Sequence, residues 1–218
     1  MKVINLSESE YVINEFSLEE IGTRKFCVFD FEATGPDQLN DFITQIGAVI
    51  LGKDGLIVEQ YKTFVRPPKP IPELIEKLTG IFNKDVENAR SFSDVIDEFF
   101  TFFSGCVLVT QAGYEYDLPL LLEECRRNNK PLEAPLVIDT KALFTYLHPE
   151  YTDIVSTNFL INYYMIDDTD IQRHDALGDS ILISRIFNKM IDECLDKGID
   201  QIRFDNLKVK KIKLTPLE

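Results

Sequence analysis

Two acidic residues end an apolar run near residue 30, and their spacing suggests metal chemistry. Residues 26–35 read FCVFDFEATG. Because side chains alternate along a strand, Asp30 and Glu32 share one face. At neutral pH one of two such carboxylates is expected to be protonated unless a cation lies between them. A divalent metal site is one interpretation; the other is that both acids are solvated and open the next loop.

A second acidic position, Asp117, stands directly before Leu118-Pro119 at the predicted start of a helix. Aspartate is a preferred N-cap residue, and proline is tolerated in the first helical turn, so capping is the role favoured by this residue alone. The two roles are compatible, because a carboxylate at a helix start can also face a metal ion.

A third acid, Asp179, lies at helical spacing with four apolar residues, Leu182, Ile183, Ile186 and Met190. An acid that faces a core needs a partner or a metal ion, because burial of an unpaired charge is costly. His174 is too far round to share this face, so we expect it in the preceding loop, where it can swing over the same site. A lone histidine is more often structural, but its pairing with an inward acid favours a functional role.

The composition predicts one α/β domain in a reducing compartment. The chain has 218 residues, of which 44% are hydrophobic, and it contains no apolar run long enough to cross a bilayer. Its start becomes acidic too early for a secretory signal. The four cysteines are widely spaced, which indicates buried free thiols and makes a structural zinc site improbable. We therefore expect a cytoplasmic protein.

The net charge of −14 argues against a protein that holds nucleic acid by a broad basic surface. It does not exclude an enzyme that meets phosphates through bound metals, because those cations reverse the local charge. The one concentrated basic segment runs from Arg203 to Lys213. This segment and the acidic residues 1–23 are candidates for docking a partner or guiding substrate; alternatively, they pack on the domain as strands or trail in solvent.

The order of elements predicts a mixed five-stranded sheet with helices on both faces. Three β-rich runs come first, and the glycine-rich turn at residues 52–55 predicts an antiparallel hairpin. Short strands at 107–109 and 136–139 then alternate with helices. In the helix from Asp117 to Asn128, the residues expected to face inward are Leu118, Leu121, Leu122 and Cys125. We divide the chain into an N-terminal extension (1–23), a domain (24–192) and a C-terminal extension (193–218).

The three acidic sites, taken in order, resemble the motifs of the DEDDh exonucleases, which are DnaQ-like 3′–5′ exonucleases with an RNase H-like fold. The matching residues are Asp30-x-Glu32-x-Thr34-Gly35, Asp117 and His174-x-Ala176-x-x-Asp179. The resemblance runs from about residue 24 to residue 191. It looks most like the proofreading exonuclease domains of bacterial replicative polymerases, and the spacing of the third motif points to the histidine branch.

The resemblance implies a metal-dependent enzyme that releases nucleoside 5′-monophosphates from single-stranded DNA or RNA 3′ ends. Histidine changes charge near neutral pH, which suits His174 as general base. The implied ligands of two Mg²⁺ or Mn²⁺ ions are Asp30, Glu32, Asp117 and Asp179. The implied substrate contacts are Thr34 and the neighbouring backbone of Ala33 and Gly35, with Tyr116 and Phe82 as candidates for base stacking. A polymerase or other protein could bind through the termini, and no membrane is involved.

One departure from the family pattern leaves an alternative open. The second motif usually reads His-Asn-x-x-Phe-Asp, but this chain has Ala112 and Gly113 at the first two positions and Tyr116 at the aromatic one. The asparagine normally helps to hold substrate. A catalytically weak or inactive relative that binds nucleic acid or a polymerase is therefore the alternative. A phosphatase with Asp30 as nucleophile ranks last, because it leaves His174 and Asp179 unexplained.

Overall fold

The computed structural model describes residues 1–132 and 135–212. Within them it has ten strands: β1 Lys2–Asn5, β2 Glu10–Asn14, β3 Phe16–Glu19, β4 Phe26–Ala33, β5 Ile43–Leu51, β6 Ile57–Phe64, β7 Val107–Thr110, β8 Val137–Asp139, β9 Gln201–Phe204 and β10 Leu207–Lys210. The α-helices of the same residues are α1 Glu73–Thr79, α2 Asn83–Val86, α3 Phe92–Phe102, α4 Asp117–Arg127, α5 Thr140–Leu147, α6 Thr157–Tyr163 and α7 Ala176–Asp196.

The central sheet has five strands in the order β6-β5-β4-β7-β8. Strands β4, β5 and β6 pair antiparallel, while β7 and β8 run parallel to β4. The mixed five-stranded sheet and its hairpin are thus confirmed. In the register of β4 with β5, Asp30 lies opposite Gly47 and Glu32 lies opposite Gln45.

Helices cover both faces of this sheet, as predicted. On one face Phe26 of β4 contacts Phe187 of α7, with ring centroids 4.8 Å apart. On the other face Phe29 and Phe31 both pack against Phe99 of α3. The alternation of side chains along β4 therefore divides an apolar strand between two layers of helices.

The inward assignment of Leu122 is wrong. This side chain is 49% exposed, whereas the buried residues of α4 after its first turn are Leu120, Leu121, Glu124 and Cys125. The reason is a polar contact between α4 and the start of β5, in which the Glu124 carboxylate accepts a hydrogen bond from the backbone nitrogen of Ile43. That contact turns Glu124 inward and leaves Leu122 on the opposite side of the helix.

The two ends of the chain pair with each other beside the domain. Strand β2 lies between β1 and β10, and β3 pairs with β9, all antiparallel. The predicted strand at residues 11–13 is part of β2, and most of the basic segment forms β9 and β10; Lys213 lies outside the described residues. Packing as strands is therefore the arrangement found. Helix α7 continues to Asp196, across the proposed boundary at residue 192, and the division into three parts stays a prediction.

All four cysteines are free; Cys27, Cys125 and Cys194 are buried and Cys106 is partly exposed. Among the described residues, no helix has both the length and the apolar composition needed to cross a membrane.

Gly47 lies where the sheet and α7 approach closely. A Cβ atom at this position would lie 2.1 Å from the carbonyl carbon of Ala176, which is backbone and cannot turn aside. We expect Gly47→Ala to displace α7 and to lower the unfolding temperature by about 5 °C or more, as overpacking does. Gly22→Ala is the matched control in a thermal unfolding experiment, because the nearest atom there is 3.6 Å away on the Leu195 side chain. Equal unfolding temperatures for the two variants would contradict the prediction.

Candidate active site

The carboxylates predicted from the sequence converge at one end of the central sheet. Asp30 and Glu32 lie at the C-terminal end of β4, Asp117 is the first residue of α4, and Asp179 is in the first turn of α7. Open α/β sheets bind ligands at the carboxyl ends of their strands. The fold thus gathers four acids from three separate parts of the chain.

These carboxyl groups disfavour one another's charged forms. Burial raises the pKa of Asp30, and the charges of Asp117, Glu32 and Asp179 raise it further. Burial and the charges of Asp179 and Asp117 raise the pKa of Glu32 to about 8. The pKa of Asp117 is raised to about 7, mainly by burial. At neutral pH the cluster therefore needs protons or cations to remain compact.

The donor set fits a hard divalent cation. Oxygen or nitrogen atoms of Glu32, His174 and Asp179 all lie within 4.8 Å of one another. Carboxylate oxygens are the ligands that Mg²⁺ and Mn²⁺ prefer, and a bound cation would relieve the repulsion among the acids.

The capping role favoured for Asp117 is wrong. In helix α4, which lies wholly within the described residues, the N-cap residue is Tyr116, and the helix start has no side-chain cap. The Asp117 carboxylate instead accepts a hydrogen bond from the Thr110 hydroxyl of β7, at 3.0 Å. This bond directs Asp117 towards the end of the sheet, where Asp30 lies.

His174 is an exposed loop residue beside the acids, as the sequence predicted. Its φ of 58° is in the left-handed region, which histidine seldom adopts. Its backbone nitrogen donates to Asp179 Oδ2 at 2.7 Å, which accounts for the unusual conformation. The loop thus holds the backbone of His174 and leaves its ring exposed over the cluster.

Arg173 is a member of the site that the sequence did not reveal. Its Nε donates to Asp179 Oδ1 at 2.8 Å, and its charge opposes the upward shift of the Asp30 pKa. No sequence pattern identifies a single arginine next to a histidine as part of a site. In this structure Arg173 supplies positive charge at the edge of the acidic cluster.

The Arg173 contact predicts a stability effect that depends on divalent cations. We expect Arg173→Gln to lower the unfolding temperature by roughly 3 °C in EDTA and by less in saturating Mg²⁺, because the cation then neutralises the same acids. Arg185→Gln is the matched control, since it removes an ion pair with Asp170 away from the cluster. The prediction is wrong if Arg173→Gln, like Arg185→Gln, lowers the unfolding temperature by the same amount in EDTA and in Mg²⁺.

The raised pKa values predict how stability depends on pH without cations. Folding raises the pKa of Glu32 to about 8 and of Asp117 to about 7, so the folded state binds more protons than the unfolded state between about pH 4 and 8. Stability in EDTA should therefore fall as the pH rises through this range, and Mg²⁺ should restore most of it at pH 8. Thermal unfolding in EDTA at pH 5.5 and 8.5 checks this. An unfolding temperature that is higher at pH 8.5 than at pH 5.5 would contradict the prediction.

The residues expected to contact substrate have different surroundings. Ala33, Thr34 and Gly35 are buried at the end of β4, and the Thr34 hydroxyl donates to Asp41 Oδ1 at 2.8 Å. The Tyr116 hydroxyl donates to the Gly35 carbonyl at 2.6 Å, which joins the loops carrying the first and second motifs.

Phe82 is 43% exposed in the connection between α1 and α2, a segment with a small core of its own. The Lys84 ammonium lies 5.2 Å from the centre of its ring. Substrate contact by Phe82, as by the residues around Thr34, stays a prediction.

The unusual second motif is built around a different acid. A Cβ atom at Gly113 would lie 2.2 Å from Cγ2 of the buried Thr110, whose hydroxyl holds Asp117, so the family's asparagine does not fit here without a rearrangement. Ala112 has a φ of 56°. The buried Asp139 carboxylate accepts hydrogen bonds from the backbone nitrogens of Ala112 and Tyr114. No spacing or pattern in the sequence predicts this role for Asp139.

The chain resembles known exonucleases in sequence and in fold. Residues 27–187 match the model of the RNase_T exonuclease family. The chain is 33% identical over 202 residues to a PolC-type DNA polymerase III of Clostridium perfringens, covering 90% of this chain and 14% of the polymerase. It is 30% identical over 171 residues to the 3′-5′ exonuclease DinG of Bacillus subtilis, covering 78% of this chain and 18% of that protein. It thus spans less than a fifth of these relatives.

Solved structures have the same fold. The nuclease domain of 3′hExo, a DEDDh family member bound to rAMP, matches with a TM-score of 0.68 and 21% identity, covering 78% of this chain and 92% of that one. E. coli Exonuclease I in complex with a dT13 oligonucleotide matches with a TM-score of 0.64 and 13% identity, covering 80% and 43%. The RNase H-like architecture is confirmed. With the family match and the three acidic motifs in one site, the chain belongs to the RNase_T exonuclease family, in its DnaQ-like DEDDh class.

Proposed function

We propose that this chain is a metal-dependent 3′–5′ exonuclease that removes nucleoside 5′-monophosphates from single-stranded ends. The observation that carries the proposal is the convergence of Asp30, Glu32, Asp117 and Asp179 at one end of the sheet, with the exposed His174 beside them. A cluster of acids that strongly disfavours its own negative charge suits bound cations, which can in turn hold a phosphate, better than it suits a structural role.

We assign the ions as two Mg²⁺ or Mn²⁺, held by the four carboxylates. When bound, they supply positive charge that stabilises the attacking and leaving oxygens of an in-line displacement. His174 accepts a proton from the attacking water as general base, which its exposed ring and anchored backbone permit. Thr110 keeps the Asp117 carboxylate directed into the cluster, and Tyr116 holds the loop that follows Glu32.

The substrate class rests on the relatives. We propose single-stranded 3′ ends of DNA or RNA. One neighbouring structure holds a dT13 oligonucleotide, and another is of a 3′-exonuclease in 3′-end-specific recognition of a histone mRNA stem-loop. A polymerase is a candidate partner, because several relatives are PolC-type polymerases. We place the protein in the cytoplasm, which four free thiols favour.

The direct test uses single-stranded DNA and RNA oligonucleotides labelled at the 3′ or the 5′ end, incubated with Mg²⁺, Mn²⁺ or EDTA. We expect stepwise shortening from the 3′ end that requires the cation and is absent in Asp30→Asn. Comparison of the DNA and RNA rates then gives the sugar preference. Cleavage that persists in EDTA, or that begins at the 5′ end, would overturn the proposal.

The second candidate is a catalytically weak or inactive relative that binds nucleic acid or a polymerase. It rests on the changed second motif, in which Ala112 and Gly113 replace the family's histidine and asparagine. It predicts Mn²⁺ binding by a folded wild type without product formation. Gly113→Asn is not a useful restoration, because a side chain there would collide with Thr110.

A further inference from the structure

The terminal strands β1, β2, β3, β9 and β10 pack against the domain as a terminal layer and do not trail from it as separate tails. Strand β10 pairs with β2, and the next residue continues the pairing, because the Lys211 nitrogen donates to the Ser9 carbonyl at 2.8 Å. Tyr11 and Val209, from opposite ends of the chain, are both buried in the main core. The two ends of the chain therefore reach the domain together.

This layer covers a buried ion pair. The Lys141 side chain, at the start of α5, is fully buried and donates to Glu115 Oε1, while its ammonium lies 5.8 Å from the centre of the Tyr11 ring. Burial of a lysine is costly unless its charge is paired, so Glu115 is held closely in place. Glu115 occupies a variable position of the second motif, and Lys141 lies outside the three motifs.

Glu115 also binds the C-terminal segment. Its second oxygen, Oε2, accepts a hydrogen bond from the backbone nitrogen of Ile212 at 2.8 Å. Its own carbonyl accepts one from the Gln38 side chain at 2.9 Å, within the loop that follows β4. A single residue thus contacts α5, the C-terminal segment and the loop after the first motif.

Glu115 lies two residues before Asp117 in the loop that enters α4. On either side of it, Tyr114 donates to the Val137 carbonyl and Tyr116 donates to the Gly35 carbonyl. The Asp117 carboxylate accepts a hydrogen bond from the Thr110 hydroxyl, but the direction in which the Asp117 backbone enters the helix depends on this loop. A shift of Glu115 would therefore move Asp117 and Tyr116 relative to Asp30.

We propose that Glu115 is a positioning residue, through which Lys141 and the C-terminal segment at Ile212 fix the loop that presents Asp117. The proposal rests on the proposed exonuclease function, because it concerns the same site. In this chain the contact substitutes for an anchor within the second motif. The folded terminal layer is thereby required for efficient catalysis and not only for stability.

The sharpest test changes one hydrogen bond. Ile212→Pro removes the backbone N–H that Glu115 accepts, whereas Ile212→Ala loses side-chain contacts and keeps the donor. We expect Ile212→Pro to lower kcat about 10- to 100-fold with little change in KM, as misplacement of a reacting group does, and Ile212→Ala to retain kcat. Equal kcat values for the two variants would overturn the proposal.

A second variant separates positioning from stability. The double substitution Glu115→Leu/Lys141→Met removes both buried charges together, and with them the acceptor of the Ile212 N–H. Its unfolding temperature should lie closer to that of the wild type than that of Lys141→Met alone does. We expect its kcat to remain low. Recovery of both stability and kcat would show a merely structural pair and would contradict the proposal.

Mn²⁺ titration followed by thermal unfolding gives a readout without turnover. We expect Ile212→Pro to need more Mn²⁺ than Ile212→Ala for the same rise in unfolding temperature. If the wild type cleaves no oligonucleotide but the two variants still differ in this way, the exonuclease proposal fails and the positioning of Asp117 stands. If the variants bind Mn²⁺ equally, the positioning proposal fails on its own.

Discussion

Asp30→Asn is expected to abolish exonuclease activity while it makes the cation-free protein more stable. Asp30 is partly buried, and the charges of Asp117, Glu32 and Asp179 raise its pKa beyond the effect of desolvation. Asparagine keeps the shape of the side chain and removes one of the repelling charges, so the unfolding temperature in EDTA should rise by roughly 3 °C or more at pH 8. Loss of this proposed metal ligand should lower kcat at least about 10³-fold, since metal ions supply several kcal/mol of charge stabilisation.

The opposite signs of these two effects make the test strict. Asp205→Asn is the matched control, because Asp205 is exposed in the turn between β9 and β10. Thermal unfolding with and without Mg²⁺ measures the effect on stability, and the oligonucleotide assay measures the effect on kcat. The interpretation of the cluster is wrong if Asp30→Asn is destabilised in EDTA, or if Mg²⁺ stabilises it as much as it stabilises the wild type.

Local patterns in the sequence were sufficient for the central sheet and for the acidic residues of the site. Alternation along residues 26–33 predicted the buried strand β4, and helical spacing after Asp179 predicted α7. Both signals depend on near neighbours in the chain, and both are reinforced by burial in the same core. The spacing of His174 from Asp179 placed the histidine in a loop for the same reason.

The parts that escaped prediction depend on distant contacts. The backbone nitrogen of Asn206 donates a hydrogen bond to the side chain of Asn14, far away in the sequence, and neither segment has a pattern that identifies the other as its partner. Asp139 and Arg173 are ordinary charged residues until the fold brings the second motif and Asp179 to them. For Asp117 only the capping role was wrong, because capping a helix and facing a metal ion have the same local signature; the hydrogen bond from Thr110 distinguishes them.

His174→Asn should lower kcat about 10²- to 10⁴-fold, the range typical of a lost general base, with little change in stability. Asparagine tolerates the left-handed conformation found at this position and keeps the backbone N–H that donates to Asp179. The exposed ring makes few packing contacts that folding could lose. Oligonucleotide cleavage and thermal unfolding of the same preparation separate the two effects.

The second histidine provides a matched control, since the chain contains only two. His148 is buried, its Nε2 lies 3.0 Å from the Glu193 carboxylate, and its ring packs 4.4 Å from that of Phe144. We expect His148→Asn to lower the unfolding temperature and to retain kcat in the folded fraction. The opposite pattern, with His148 needed for turnover and His174 needed for stability, would refute the assignment.

Chemical rescue distinguishes a proton acceptor from a residue that only orders its loop. Glycine also tolerates the backbone conformation of residue 174, and His174→Gly would leave space above Glu32 and Asp179. Added imidazole should then restore part of kcat in proportion to its concentration, with no effect on Asp30→Asn. Because a free base cannot rebuild a loop, rescue would place the lost function on the ring of His174. Absence of rescue together with a lowered Mn²⁺ affinity would assign His174 to metal binding instead.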